Sequence, residues 1–361
     1  MHNRRDFLRA VAGAAAGAAV TGGLAHGAGS WLAPQATSPR RREVSVGGRR
    51  ARVIDMHAHC FMPEVAELVK GTRLNPSMND RGLVLGPERL RAMDERGIDL
   101  QVLSNHNFWF YPAERDLAAR IVELQDEKLS QWCAAHPDRF VGLASIALQH
   151  PDLAAKQLER GVTQLGLRGA TVAGDVEGEP LSARKFDPFW AKAAELGVPV
   201  FMHPQSAKYL IRDGALDGNG DLTNVIGNPL ETTAFLTRLI LDGTFDRFPG
   251  LRVCASHAGG YLPSYLGRTE VACQVRPTAN CANKKPPSEY LKREILVDSM
   301  IFSEEGLRHL ATQVGAGQIV YGTDMPYNWP DSLNMILGAP FLTDADKHAI
   351  VGGNLAKLLR I

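Results

Sequence analysis

Ile54-Asp55-Met56-His57-Ala58-His59 reads as a short apolar strand ending in two histidines one residue apart. Side chains alternate faces along a strand, so Asp55, His57 and His59 are expected to point the same way. Two imidazoles side by side at the carboxyl end of a strand form a bidentate grip for a borderline metal such as Zn²⁺. Eleven histidines in 361 residues also produce close pairs by chance. The pair therefore acquires meaning only from what the rest of the chain places beside it.

Working outward, short apolar runs at 53–56, 100–104, 140–146, 166–172, 198–202, 251–255, 295–298 and 318–322 recur along the chain. They alternate with helical periodicity at 87–96, 113–135, 153–162, 187–196, 229–245, 262–272 and 304–314. Strands alternating with helices at this spacing predict a parallel (β/α)₈ TIM barrel over 51–361. Glycines at the expected helix ends, Gly97 after Glu95-Arg96 and Gly197 after Glu195-Leu196, support the count. A doubly wound sheet is the competing architecture. It fits less well, because the polar groups described next are spread over four strand ends.

Barrels carry their chemistry at the carboxyl ends of the strands. The first strand ends at His57 and His59, the fifth at His203, the sixth at His257 and the eighth at Asp324. Four histidines and one carboxylate converge on one rim, a set suited to a metal with an open position for water or substrate.

These residues carry a resemblance. His57-x-His59, His203-Pro204, Ser256-His257-Ala258-Gly259-Gly260 and Gly322-Thr323-Asp324-Met325-Pro326 resemble the amidohydrolase superfamily (amidohydrolase-related family 2). The nearer likeness is to its aminocarboxymuconate-semialdehyde decarboxylase-like branch. His136-Pro137-Asp138-Arg139-Phe140 and Pro286-Pro287-Ser288-Glu289-Tyr290 fit the same branch, and the similarity covers about residues 52–361. It implies a metal held by His57, His59, His203 and Asp324, with His257 as the catalytic acid/base. Members with two metals bridge them by a carboxylated lysine or a glutamate at the end of the fourth strand. Leu167-Arg168-Gly169-Ala170-Thr171-Val172 offers neither. The resemblance thus implies one divalent metal per chain, Zn²⁺ first and Mn²⁺ as the alternative. His257, freed from ligation, can then move protons near neutrality.

Other positions have two readings each. Asp55 either orients a ligand histidine by a hydrogen bond to its ring or makes a strand-end hydrogen bond. Arg268 matches a family arginine that reaches a neighbouring subunit's site and holds the substrate carboxylate; otherwise it is a solvated helix charge. A homodimer is expected on the first reading. His106, in His106-Asn107-Phe108-Trp109-Phe110-Tyr111, is a candidate for substrate contact, with aromatics that either stack on a flat substrate or belong to the core. The family's substrate-binding arginine after the first strand has no clear counterpart, Arg73 and Arg81 being only nearby. The aromatic residue after His-Pro is here Gln205, which becomes a candidate substrate contact.

The resulting expectation is a metal-dependent carboxy-lyase acting on a small planar unsaturated or aromatic carboxylic acid. The alternatives are a mononuclear hydrolase of a lactone, amide or ester, or a hydratase. A non-catalytic binding protein on the same fold would show an impaired ligand set.

The amino terminus reads separately. Arg4-Arg5-Asp6-Phe7-Leu8-Arg9, followed by an Ala/Gly/Val run without an acidic residue, resembles a bacterial twin-arginine signal over 1–30. Export through the twin-arginine machinery to the periplasm is expected, with no membrane span in the mature protein. Residues 31–50 are assigned as a linker, of which 38–50 has a second reading as an edge element. A net charge of +1, from 40 basic and 39 acidic residues, gives no footprint for nucleic acid or a membrane surface. Five scattered cysteines make no CxxC pair, although Cys273 and Cys281 are close enough in sequence to bridge in an oxidising compartment.

Overall fold

The eight predicted strands form, and they pair in chain order. The computed structural model describes residues 41–74, 81–106 and 108–361, so the expected twin-arginine signal and the first part of the linker lie outside the described residues. The strands are β1 (Ile54–His59), β2 (Leu100–Ser104), β3 (Phe140–Gly142), β4 (Ala170–Val172), β5 (Pro199–Met202), β6 (Arg252–Ala255), β7 (Ile295–Asp298) and β8 (Ile319–Val320). All pairings among them are parallel, β1 to β3 in one ladder and β4 to β8 in another. Two single bridges close the ring, Ala144 with Ala170 and Ala58 with Met325. At the second seam the His59 amide donates to the Met325 carbonyl at 2.8 Å and the Asp324 amide to the His57 carbonyl at 2.7 Å. The barrel is closed, as the sequence predicts.

Burial explains which end is left for chemistry. Met56, Leu100, Phe201, Cys254, Leu296 and Val320, from six different strands, pack with Leu355 and Leu359 of the terminal helix Asn354–Leu359. Each fully buried side chain of leucine size contributes roughly 1.5–3 kcal/mol. This plug fills the barrel interior away from the histidines and leaves the carboxyl ends of the strands for polar groups. The surrounding helices start and stop where the sequence indicates. Pro87–Arg96 has its proline at the first turn and Gly97 at φ 77° after its last residue, and Asp187–Leu196 ends at Gly197 with φ 61°.

Two segments need comment. Residues 41–50 follow the edge-element reading and not the linker one: Ser45–Val46 and Arg49–Arg50 form an antiparallel hairpin turned by Gly47-Gly48, and the buried Val44 and Val46 anchor it to the core. The helix expected at 262–272 runs instead over Leu266–Val275, because the chain at 257–260 is held in left-handed turns. Cys273 at its far end is bonded to Cys281. Among the described residues, no helix is long and apolar enough to cross a membrane.

Candidate metal centre

Each of the three predicted histidine ligands is anchored from behind. His57 donates from Nδ1 to Asp298 Oδ2 at 2.6 Å, His59 Nδ1 meets Ser104 Oγ at 3.1 Å, and His203 donates from Nδ1 to the Pro204 carbonyl at 2.9 Å. These contacts turn the Nε2 atoms towards one another. His59 Nε2 lies 2.8 Å and His57 Nε2 3.1 Å from Asp324 Oδ1, and His257 Nε2 lies 4.0 Å from Asp324 Oδ2. Neighbouring ring centroids lie 4.8 to 5.2 Å apart among His57, His59, His203 and His257.

The backbone at the site is bent to suit. Asp298, at the end of β7, accepts the amides of His257 at 3.0 Å, Ala258 at 2.8 Å and Met300 at 3.1 Å. His257 and Ala258 sit at φ 52° and 55°, and Asp324 at φ 59°. Non-glycine residues in this region cost on the order of 1–3 kcal/mol each and persist where surrounding bonds over-determine them. One buried carboxylate thus orients His57 and fixes the turn that carries His257.

Burial and charge sort the protonation states. Burial alone would lift the Asp324 carboxyl, but His57, His257 and His59 beside it hold it well below the usual carboxylate range. Burial pushes His59 down to about 4, and pushes His203 and His106 well below the ordinary imidazole value. For His57 burial acts downward too, yet the Asp324 and Asp298 carboxylates win and raise it to about 10. His59 and His203 are thus neutral imidazoles beside an ionised carboxylate, the donor states that a divalent metal needs, whereas His57 must release its Nε2 proton as the ion binds.

The residues fit such an ion. His57 Nε2 and His203 Nε2 are buried without a hydrogen-bond partner, His57 Nε2 being close to Asp324 but out of bonding geometry. Orphaned buried polar atoms cost roughly 1–3 kcal/mol each, and a cation would satisfy them together. The donor atoms of His57, His203, His257 and Asp324 lie within 4.8 Å of one another, and those of His59, His106 and His203 form a second such group. His257, predicted as an acid/base beside the metal, therefore has a donor atom as close to the centre as the predicted ligands have.

A cavity of about 510 Å³ opens over the centre, lined by His106, His203, Gln205, Asn228, Asp324, Tyr327 and Trp329 among others. His106 and Gln205 thus reach the expected pocket, and the His106 ring lies 3.9 Å from that of His203. Asp55 does not join the histidines. The ladder shifts register between Asp55 and Ala58, which breaks the strict alternation that would have kept the three on one face. Its carboxylate accepts instead from Thr323 Oγ1 at 2.6 Å, Gln101 Nε2 at 2.8 Å and the His57 amide at 3.0 Å. Asp55 makes a strand-end hydrogen-bond network, and Asp298 holds the ring nitrogen that it was a candidate to hold. Arg268 is exposed on the helix Leu266–Val275. The aromatic run belongs to the core: Trp109 Nε1 donates to the Thr171 carbonyl at 3.1 Å and Tyr111 is buried, while Asn107 lies outside the described residues.

Sequence reasoning passed over Asp298, Tyr327 and Trp329. The rule that found Asp324 would have found Asp298, since it too ends a predicted strand. The other two follow Asp324 in a loop with no periodic signal.

The chain has relatives among known proteins. It is 30% identical over 338 residues to the gamma-resorcylate decarboxylase of Rhodococcus jostii, covering 85% of this chain and 98% of that one. It is 26% identical over 339 residues to the 2-amino-3-carboxymuconate-6-semialdehyde decarboxylase of Dictyostelium discoideum, covering 92% and 86%. The structure of 5-carboxyvanillate decarboxylase from Novosphingobium aromaticivorans, complexed with manganese and 4-hydroxy-3-methoxy-5-nitrobenzoic acid, superposes with a TM-score of 0.77 at 25% identity, covering 86% and 96%. The amidohydrolase family model matches residues 54–361, from the first barrel strand to the last residue, and the chain belongs to that family.

Proposed function

We propose that this protein is a metal-dependent carboxy-lyase that removes CO₂ from a small planar aromatic or unsaturated carboxylic acid. The observation that carries the reading is the buried His/Asp donor group opening into the cavity of about 510 Å³, the pocket size of a small ligand. The named relatives, all decarboxylases, support the reaction class.

His57, His59, His203 and Asp324 would hold one divalent metal, and the nitrogen-rich donor set favours Zn²⁺ over Mn²⁺. When bound, the metal supplies a Lewis acid that fixes the substrate's oxygens and draws electron density from the bond to be broken. His257, at the end of β6 beside Asp324, delivers the proton. As the carbon–carbon bond breaks and CO₂ leaves, the electron pair stays on the ring carbon and takes that proton. Asp298 holds the His257 turn in place, and Gln205, His106, Tyr327 and Trp329 shape the pocket around the ring. Arg268 reaches the site of a partner copy in a homodimer and binds the substrate's carboxylate. Residues 1–30 direct export by the twin-arginine machinery to the periplasm, a compartment in which the Cys273–Cys281 bond is stable.

The deciding experiment is CO₂ release from a panel of hydroxylated benzoates, with metal analysis of the purified protein. Release from at least one aromatic acid, lost on chelation, is expected; hydrolysis of lactones or esters without CO₂ release would overturn the reaction. Mixing inactive His257→Asn and Arg268→Ala chains is expected to restore activity through the shared site. Replacing Arg4 and Arg5 with lysines is expected to leave the protein in the cytoplasmic fraction.

A further inference from the structure

Glu231 is a buried acid that the reaction does not use. It lies in the first turn of the helix Asn228–Leu241, 2% exposed. Its carboxylate gathers three backbone donors from two different loops. Oε1 accepts from the Gly174 amide at 3.0 Å, beyond the end of β4. Oε2 accepts from Gln205 at 2.8 Å and Ala207 at 2.7 Å, beyond the end of β5.

The β5 loop needs such a fastening. Ser206 and Ala207 sit at φ 79° and 58°, a region that L residues leave unless they are held. The same loop presents the Pro204 carbonyl, which accepts a hydrogen bond from His203 Nδ1 and so leaves Nε2 with its lone pair facing the centre. It also places Gln205 in the cavity wall. On the other side, Gly174 leaves room for the carboxylate: a Cβ there would lie 2.5 Å from Glu231.

We infer that Glu231 is the positioning residue for His203, gripping the β4 and β5 loops together so that the His203 ring is held ready for the metal. The inference rests on the metal reading proposed above. It assigns to Glu231 a control of metal affinity exerted through main chain alone, with no contact to the ion or the substrate. Outer partners that fix a ligand imidazole typically govern metal affinity by 10–100-fold. A glutamine at 231 keeps the shape of the side chain but turns an N–H₂ towards backbone donors on one arm, which unseats one loop.

The test is titration of metal-stripped protein with Mn²⁺ alone, at pH 8, for wild type, Glu231→Gln and Leu239→Ala. Leu239 is fully buried on the same helix and reaches neither loop by any bond described, so it reports the effect of lost stability by itself. Glu231→Gln is expected to weaken Mn²⁺ binding at least tenfold, while Leu239→Ala lowers the unfolding temperature and leaves affinity within twofold. Affinity of Glu231→Gln within twofold of wild type overturns the positioning role alone. Wild type that binds neither Mn²⁺ nor, in a parallel titration, Zn²⁺ overturns the metal reading and this inference with it; where Zn²⁺ alone binds, the same variants are compared with Zn²⁺ to the same thresholds. If Glu231→Gln is not recovered folded, Gly174→Ala displaces the carboxylate from the opposite side. It is expected to reproduce the tenfold loss, and unchanged affinity in that variant overturns the role equally.

Discussion

At the scale of single residues, Asp298 does more than any side chain singled out from the sequence. It orients the His57 ring and ties down the His257 turn through backbone amides. Asp298→Asn would put an N–H₂ group against donors it now satisfies. We expect Asp298→Asn to lose 10–100-fold in metal affinity, with a fall in turnover larger than metal occupancy explains, because the His257 turn relaxes as well. Parallel metal titration and steady-state rates at saturating metal measure the two losses separately. His257→Asn has the opposite signature: turnover vanishes while metal content stays near that of wild type. A variant that loses its metal would move His257 into the ligand set, where its distance to Asp324 also allows it. The sequence displayed His57, His59, His203, His257 and Asp324 plainly, because a histidine or carboxylate ending an apolar run is visible without any tertiary knowledge. It misplaced Asp55, because a one-residue register shift leaves no mark in the pattern of polar and apolar residues.

At the scale of elements, strands and helices were legible wherever a periodic run met a proline or glycine, as at Pro87 and Gly97. The loops were not. The grip of Glu231 on two loops joins residues far apart in the chain, and nothing in the helix around it distinguishes that acid from a solvated one. Burial pushes the Glu231 carboxyl up to about 7, against the backbone donors that lower it and together with Asp175, which raises it further. The folded chain then keeps a proton that the unfolded chain has released between about 4.5 and 7. Stability from this group is therefore full at the acidic end and falls as pH rises through that window. Urea midpoints measured from pH 5 to pH 8 should show wild type losing ground relative to Glu231→Gln. A constant difference would count against this. The eighth strand offers a steric test. A Cβ on Gly322 would lie 2.9 Å from the His57 Cβ and 3.0 Å from the Asp298 Cβ. Gly322→Ala is accordingly expected to impair metal binding and lower the unfolding temperature together, both followed by thermal melts with and without added metal.

For the whole molecule, the closed barrel was readable because eight alternations leave few other arrangements, while the pocket lining was not, since it comes from loops of irregular backbone. On the proposed ligand set the metal couples to the stability of the entire barrel, because its donors come from β1 and from the segments that follow β5 and β8. At a free metal concentration 100 times the dissociation constant, binding adds about 2.7 kcal/mol to folding. Chelation is expected to lower the unfolding midpoint by several degrees and stoichiometric metal to restore it; an unchanged midpoint would mean that these donors hold no ion. The seam between β1 and β8 carries a last consequence. His59 and Asp324 meet there although 265 residues separate them. While the chain is still leaving the ribosome, its histidine pair waits without its carboxylate until residue 324 has been made and has folded back. A chain cut short before residue 324 keeps its histidines but lacks the carboxylate of the centre.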